Sequence, residues 1–223
     1  MSTAPPPVRL LVFDLDGTLV DSRGDLAGAA NELLQQCGAP PLDEAAVGRM
    51  VGEGASVLVQ RVCAAAGLAE PADALARFLA LYGRRLLRLT RPYDGIQDLL
   101  TRLDGQLPMA VLTNKPTDPA DRLLAGLGLR RHFRFVIGGD GPFARKPDPE
   151  GLVALMAEWE VDAASTILVG DSPIDLRTAR QAGARICLAR YGFGFGNFTP
   201  GELNDDAWVI DTPLDLLAHL GLA

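Results

Sequence analysis

The sequence predicts an α/β protein: a doubly wound, Rossmann-like parallel sheet with a small α-helical cap domain inserted after the first strand. Three observations lead there. Short apolar runs, too brief for helices and not alternating with polar residues, recur through the chain as strands buried on both faces do. Helical stretches separate these runs, which implies βαβ units with right-handed crossovers. From about Ser22 to Thr90, however, no strand pattern appears, and helical stripes take its place.

In chain order, Val8–Phe13 is the first strand. Leu26, Ala29, Ala30, Leu33, Leu34 and Cys37 then recur at helical spacing and mark one face of a helix. Gly52-Glu53-Gly54 opens a second helix through Val57, Leu58 and Val62. Leu75, Phe78, Leu79, Tyr82, Leu86 and Leu89 form a third stripe, with Pro71 near its start. Strands follow at Met109–Leu112, Phe135–Ile137, Thr166–Val169, Ile186–Leu188 and Trp208–Ile210, and helices over Pro119–Leu127, Pro149–Trp159 and Pro173–Ala182. The expected division is a core of residues 1–21 and 91–223 and a cap of residues 22–90, joined by hinge strands near Asp21 and Pro92–Gly95.

Composition narrows the function classes. The 223 residues suffice for one large domain or a core with a modest insert, and 48% hydrophobic with 22% charged residues is ordinary for a globular chain. With 28 acidic against 21 basic residues the net charge is −7, which argues against a generally basic nucleic-acid-binding surface. The apolar runs are too short to span a bilayer. Cys37, Cys63 and Cys187 are odd in number and widely spaced, so neither a disulfide framework nor a zinc site is expected. Pro5, Pro6 and Pro7 precede the first strand without a basic, then apolar, leader, and a cytoplasmic protein is expected.

The chemistry concentrates at strand ends. Asp14-Leu15-Asp16-Gly17-Thr18 follows the first strand, and ligands of open α/β sheets sit at the carboxyl ends of strands. Alternation along an extended chain puts Asp14 and Asp16 on one side, close enough to share a cation. Val169-Gly170-Asp171-Ser172-Pro173-Ile174-Asp175 ends a second strand. There Ser172, Pro173 and Asp175 read as a helix cap, which explains Asp175 but not Asp171. Four carboxylates in one crevice repel unless a hard cation such as Mg²⁺ sits among them. The chain has 19 arginines but only two lysines, Lys115 and Lys146, and both fall near expected strand ends. Thr113 and Asn114 adjoin Lys115, and an ammonium, a hydroxyl and an amide together can hold a phosphoryl group.

In these motifs the chain resembles the haloacid dehalogenase-like hydrolases, and within them the phosphoglycolate phosphatase type. Asp14–Ser22 is similar to the first family motif, Leu112–Asn114 to the second, Lys146 to the third and Val169–Asp175 to the fourth. The resemblance implies Asp14 as nucleophile, Asp16 as general acid/base, and Thr113, Asn114 and Lys146 on the phosphoryl group. It places Mg²⁺ on Asp14, Asp16 and Asp171, with Asp175 in the outer shell, and Gly52 and Gly54 in a cap loop reaching the substrate. The narrower likeness rests on Asp21-Ser22-x-x-Asp25, Val51-Gly52-x-Gly54, Thr113-Asn114-Lys115-Pro116, Ile137-Gly138-Gly139-Asp140 and Tyr191-Gly192-Phe193-Gly194.

The expected activity is Mg²⁺-dependent hydrolysis of a small phosphomonoester through an aspartyl-phosphate, with 2-phosphoglycolate favoured. Another small phosphorylated metabolite such as a sugar phosphate is the alternative, and a non-catalytic phosphometabolite-binding module is a further one. Family dehalogenases lack an Asp at the position of Asp16. Phosphonoacetaldehyde hydrolysis needs a cap lysine, and none lies between Ser22 and Arg91; the mutase relatives carry a His where this chain has Leu26. The expected partner is a small phosphorylated metabolite, with no nucleic acid and no membrane, and the chain is expected to be a monomer or homodimer. Arg61 reads as a solvent-directed side chain, His132 and His219 receive no role, and Trp159 and Trp208 read as packing residues.

Overall fold

The computed structural model describes residues 6–203 and 207–222. Strand β1 (Leu10–Phe13) turns into β2 (Val20–Asp21), and four helices follow: α1 (Arg23–Gln36), α2 (Glu44–Gly48), α3 (Ala55–Ala65) and α4 (Ala74–Arg85). Strand β3 (Arg91–Pro92) pairs antiparallel with β2 and returns the chain to the sheet. The rest alternates: α5 (Ile96–Leu103), β4 (Met109–Leu112), α6 (Thr117–Gly126), β5 (Phe135–Ile137), α7 (Glu150–Glu158), β6 (Thr166–Gly170), α8 (Pro173–Ala182), β7 (Arg185–Ala189), β8 (Trp208–Ile210) and α9 (Asp215–Leu220). The six long strands run parallel in the order β5-β4-β1-β6-β7-β8.

The sheet is apolar on both faces because helices cover both. Leu11, Phe13, Val111, Ile167 and Val169 pack with Ile96, Leu99, Leu123 and Leu216 on one side. Leu10, Val12, Leu112, Leu168 and Leu188 pack with Leu152, Leu155 and Leu176 on the other. This two-sided burial is why the strands read as continuous apolar runs rather than alternating ones. β1 lies between β4 and β6, so the strand order reverses there and a crevice opens at the strands' carboxyl ends. Trp159 packs edge-on against Phe135 and Trp208 stacks on His219, both away from that crevice. No helix among the described residues is long and apolar enough to cross a membrane.

The helical insert is held by α1 against α4, with Leu26, Ala30 and Leu33 meeting Phe78, Leu81 and Tyr82 in a buried cluster. The short α2 has no counterpart in the sequence expectation, since five residues are too few for periodicity to register. The third stripe also ends early: α4 stops at Arg85, and Leu89 is 58% exposed rather than core-facing. The cause is Asp25, fully buried on α1. Its Oδ2 accepts hydrogen bonds from Leu89 N at 2.9 Å, Thr90 N at 2.8 Å and Thr90 Oγ1 at 2.8 Å. One carboxylate oxygen thereby satisfies the backbone where the chain leaves the last helical turns for β3.

Removing that acceptor orphans the buried amide and hydroxyl of Thr90 and the partly buried amide of Leu89. Asp25→Ala is expected to lower stability by about 3 kcal/mol. Urea denaturation checks this, and an unchanged midpoint would show that the carboxylate does not hold the insert's return to the core.

Candidate active site

Three strand ends build the crevice: β1 delivers Asp14, β4 delivers Thr113, and β6 delivers Asp171. The β1 ladder runs one residue past the strand, with Asp14 N donating to Val169 O at 2.8 Å. Beyond Asp14 the chain turns, and the Leu15 carbonyl accepts from Thr18, Leu19 and Val20 amides. Gly17 holds φ +89° in this turn, and a side chain there would collide with the Asp171 carboxylate. Gly192 leaves Asp171 room from the opposite side, where a Cβ would overlap it as well. Gly194 N then donates to Asp171 Oδ2 at 2.7 Å.

Asp175 does two jobs with its two oxygens. Oδ2 accepts from Ser172 N at 3.1 Å and Ser172 Oγ at 2.6 Å, closing the capping box at the start of α8. Oδ1 accepts from Lys146 Nζ at 2.6 Å. The same ammonium lies 2.9 Å from Asp14 Oδ1. Ligand atoms of Asp14, Asp171 and Asp175 all fall within 4.8 Å of one another, and all three residues are buried.

This crowding is electrostatically costly. Burial raises the Asp14 carboxyl to about 6, Lys146 pulling it down and Asp175 pushing it up. Burial, with the like charges of Asp175 and Asp14, pushes Asp171 well above the carboxylate range. For Lys146, burial works against the charged form, but Asp14 and Asp175 outweigh it and its pKa is raised. One ammonium thus faces three carboxylates, and Asp14 Oδ1 finds no hydrogen bond of good geometry even so. A buried all-oxygen donor set with surplus negative charge fits a hard divalent cation.

The side chain of Asp16 is not part of this trio. The sequence reading grouped it with the metal on the assumption that strand alternation continues past Asp14. The turn at Leu15 breaks that alternation and sends Asp16 to the cavity under the helical insert. There Oδ1 accepts from Ser22 Oγ at 2.6 Å, and Lys115 Nζ donates to both oxygens, at 3.0 Å and 2.9 Å. Lys115 also donates to Tyr82 OH of α4 at 2.7 Å and sits 4.5 Å from that ring's centroid. Tyr82 is held protonated by burial, its pKa pushed up to about 12.

Leu26, Val51, Gly52, Gly54, Leu58, Phe78 and Leu79 line the cavity from the insert, opposite Asp14, Asp16, Thr113, Asn114 and Lys115; its empty space, mouth included, is about 540 Å³. Asn114 stitches the two sides together: Nδ2 donates to Gly52 O at 2.9 Å and to Lys146 O at 2.8 Å. Thr113 Oγ1 accepts from Lys115 N at 3.2 Å and lines the cavity floor. Arg61 stays outside, donating to Met50 O at 3.1 Å and to Glu53. His132 lies beside Asp104 and His219 against Trp208, neither lining the cavity. Sequence reasoning took Tyr82 for a packing residue and missed its hydroxyl contact; Lys115 was signalled by the scarcity of lysines and by its place after Thr113 and Asn114.

Fold and site together define a metal-using hydrolase whose crevice is roofed by a helical insert. The family model for haloacid dehalogenase-like hydrolase matches residues 11–189. The phosphoglycolate phosphatase of Rhodospirillum rubrum is 45% identical, over 83% of this chain and 80% of its own. The plasmid phosphoglycolate phosphatase of Cupriavidus necator is 39% identical, over 94% of this chain and 92% of its own. Among solved structures, a predicted phosphoglycolate phosphatase from Haemophilus somnus superposes with a TM-score of 0.88 at 31% identity, covering 95% of this chain and 97% of that one. The chain belongs to the haloacid dehalogenase-like hydrolases, and within them it is a phosphatase.

The repulsion among the three carboxylates yields a stability test. Added Mg²⁺ is expected to raise the wild-type melting temperature, by roughly 2–3 kcal/mol of stabilisation at a hundredfold excess over Kd. Asp171→Asn is expected to melt above the metal-free wild type and to gain little from the ion. A variant that melts lower without metal and responds to it fully would mean that Asp171 carries no surplus charge there.

Proposed function

We propose that the protein is a Mg²⁺-dependent phosphomonoesterase that hydrolyses 2-phosphoglycolate through an aspartyl-phosphate on Asp14. The observation that carries this reading is the division of labour between two carboxylates two residues apart. Asp14 lies with Lys146 in the metal trio, whereas Asp16 lies in the cavity with Ser22 and Lys115. Environments that differ this much suit one carboxylate to attack and the other to proton transfer.

In this reading Asp14 attacks phosphorus in line with the ester oxygen, and Asp16 protonates the departing alkoxide. Asp16 then takes the proton from the water that hydrolyses the acyl phosphate, which frees Asp14 and releases inorganic phosphate. Thr113 and Lys146 hold the phosphoryl oxygens as charge spreads over them. Asp14 and Asp171, with Asp175 behind, would hold Mg²⁺, and the ion would supply the positive charge that lets a carboxylate approach a phosphate dianion. Residues 22–90 act as a cap that excludes bulk water and limits the leaving group to a small one. Asn114, through Gly52 O, and Lys115, through Tyr82 OH, hold that cap closed on the core.

Two observations support 2-phosphoglycolate. Relatives named for that activity align with this chain over most of both lengths. The insert lines the cavity with the apolar side chains of Leu26, Val51, Leu58 and Phe78, which suits a small leaving group. The net charge of −7 supports a small metabolite, rather than a nucleic acid, as partner. We take the protein to work in the cytoplasm as a monomer or homodimer.

Asp14→Asn is expected to reduce kcat by about 10⁴-fold or more while leaving the melting temperature of the metal-free protein equal or higher. Phosphate release under Mg²⁺ measures it, and substantial turnover by the pure variant rules out Asp14 as nucleophile. Across a panel of small phosphomonoesters, kcat/KM is expected to be highest for 2-phosphoglycolate. A higher value for a hexose phosphate would leave the mechanism in place and replace the substrate.

A further inference from the structure

Lys115 and Tyr82 form a paired donor site on the leaving-group side of the cavity. Among the described residues that line the cavity, Lys115 is the only one with a cationic side chain. Lys115 Nζ gives its three protons to the two Asp16 oxygens and to Tyr82 OH, so an incoming anionic oxygen would share a proton now on Asp16; the other cations near the crevice do not line the cavity. Lys146 is held between Asp14 and Asp175 and Arg61 by Met50 O and Glu53, while Arg145, exposed beside Gly54, donates only through its Nε, to Gly139 O at 2.6 Å. Tyr82 OH accepts from Lys115, but its own proton has no acceptor among the described residues, although the residue is only 3% exposed. A buried hydroxyl with an uncommitted proton beside a buried ammonium is a receptor for an anionic oxygen pair. Leu26, Leu58 and Phe78 wall the same space and keep the local dielectric low, which strengthens such recognition.

The position of this pair relative to the chemistry sets what it can read. Lys115 Nζ touches both oxygens of Asp16, so it stands one hydrogen bond beyond the group that protonates the leaving oxygen. A carboxylate one methylene from the ester oxygen is the short acidic group this pair suits, because Leu26, Leu58 and Phe78 wall the rest of the cavity. We propose that Lys115, with the Tyr82 hydroxyl, is the specificity-determining site that binds the carboxylate of an α-phospho-oxy acid substrate. This rests on the substrate reading above and adds to it the residues that select for the negative charge. Without Lys115, the substrate carboxylate would lie against Asp16 with no cation between them.

The test compares kcat/KM for 2-phosphoglycolate and for 2-hydroxyethyl phosphate, which keeps the chain length and a polar tip but carries no second charge. Wild-type enzyme is expected to favour the acid by about 100-fold or more, because a site built around charged hydrogen bonds discriminates strongly against a ligand lacking them. Lys115→Gln keeps a side chain able to hydrogen-bond Asp16 and Tyr82. It is expected to bring that ratio to within about fivefold of unity, mainly through KM for the acid. Lys115→Arg is expected to retain part of the preference, and Tyr82→Phe to reduce it by about tenfold. The ratio separates recognition from any general damage to Asp16, since such damage slows both esters together. A selective wild type whose Lys115→Gln variant keeps its ratio overturns the inference and leaves the substrate reading standing. A wild type that hydrolyses both esters equally overturns the substrate reading and the inference with it. If Lys115→Gln does not fold, the Tyr82→Phe ratio decides: an unchanged preference overturns the paired site.

Discussion

Three buried carboxylates, Asp14, Asp171 and Asp175, lie with ligand atoms within 4.8 Å of one another at the carboxyl edge of the sheet, and their repulsion sets the terms for the structure around them. Such a group cannot be desolvated unless charge is returned to it. The fold supplies part of that charge from Lys146, whose loop lies between β5 and α7, and part of the compensation from dipoles. Gly194 N donates to Asp171, and the Ser172 amide and hydroxyl donate to Asp175. The remainder is the demand for a cation. Close packing by glycine follows from the same constraint, because Gly17 and Gly192 leave just enough space for the Asp171 carboxylate.

The second carboxylate of the first motif is handled by a separate set of partners. Ser22 and Lys115 take both oxygens of Asp16, and Lys115 reaches across to Tyr82 on the helical insert. Asp16 is therefore tied to the roof of the cavity, not to the trio of Asp14, Asp171 and Asp175. Asn114, one residue before Lys115, touches the same roof through the Gly52 carbonyl. Three consecutive residues after β4 thus have three destinations: Thr113 on the cavity floor, Asn114 on the insert's loop and Lys115 on Asp16 and Tyr82. This short segment ties the insert to the strand-end site.

The insert itself depends on one buried side chain. Asp25 holds the Leu89 and Thr90 amides, draws the chain out of α4 and feeds it into β3. The β2-β3 ribbon then fixes where the insert sits over the strand ends. Leu89 is exposed as a consequence, although its place in the helical stripe reads as core.

Much of this was legible in the residues before any fold was known. Strands Met109–Leu112, Phe135–Ile137 and Trp208–Ile210 lie where their apolar runs begin and end, the first buried throughout and the other two, half-buried at the sheet edges, still marked by short apolar runs. The helix at Pro173–Ala182 is equally local, since its cap, its N-terminal proline and its closing Gly183 all lie within the segment. The motifs of Asp14, Thr113 and Asp171 sit at strand ends, while Lys146 comes from the loop between β5 and α7. What tertiary structure decided was direction and partnership. The Asp16 side chain stands apart from the trio of Asp14, Asp171 and Asp175 because a turn at Leu15 breaks the alternation that an extended chain would keep. Tyr82 carries a stripe residue's spacing and a site residue's hydroxyl, and only the docking of α4 over β4 tells the two apart. Local pattern fixes which side of an element is apolar; which polar atom meets which depends on separations of tens of residues, 33 for Lys115 and Tyr82 and 99 for Lys115 and Asp16, and that the fold alone determines.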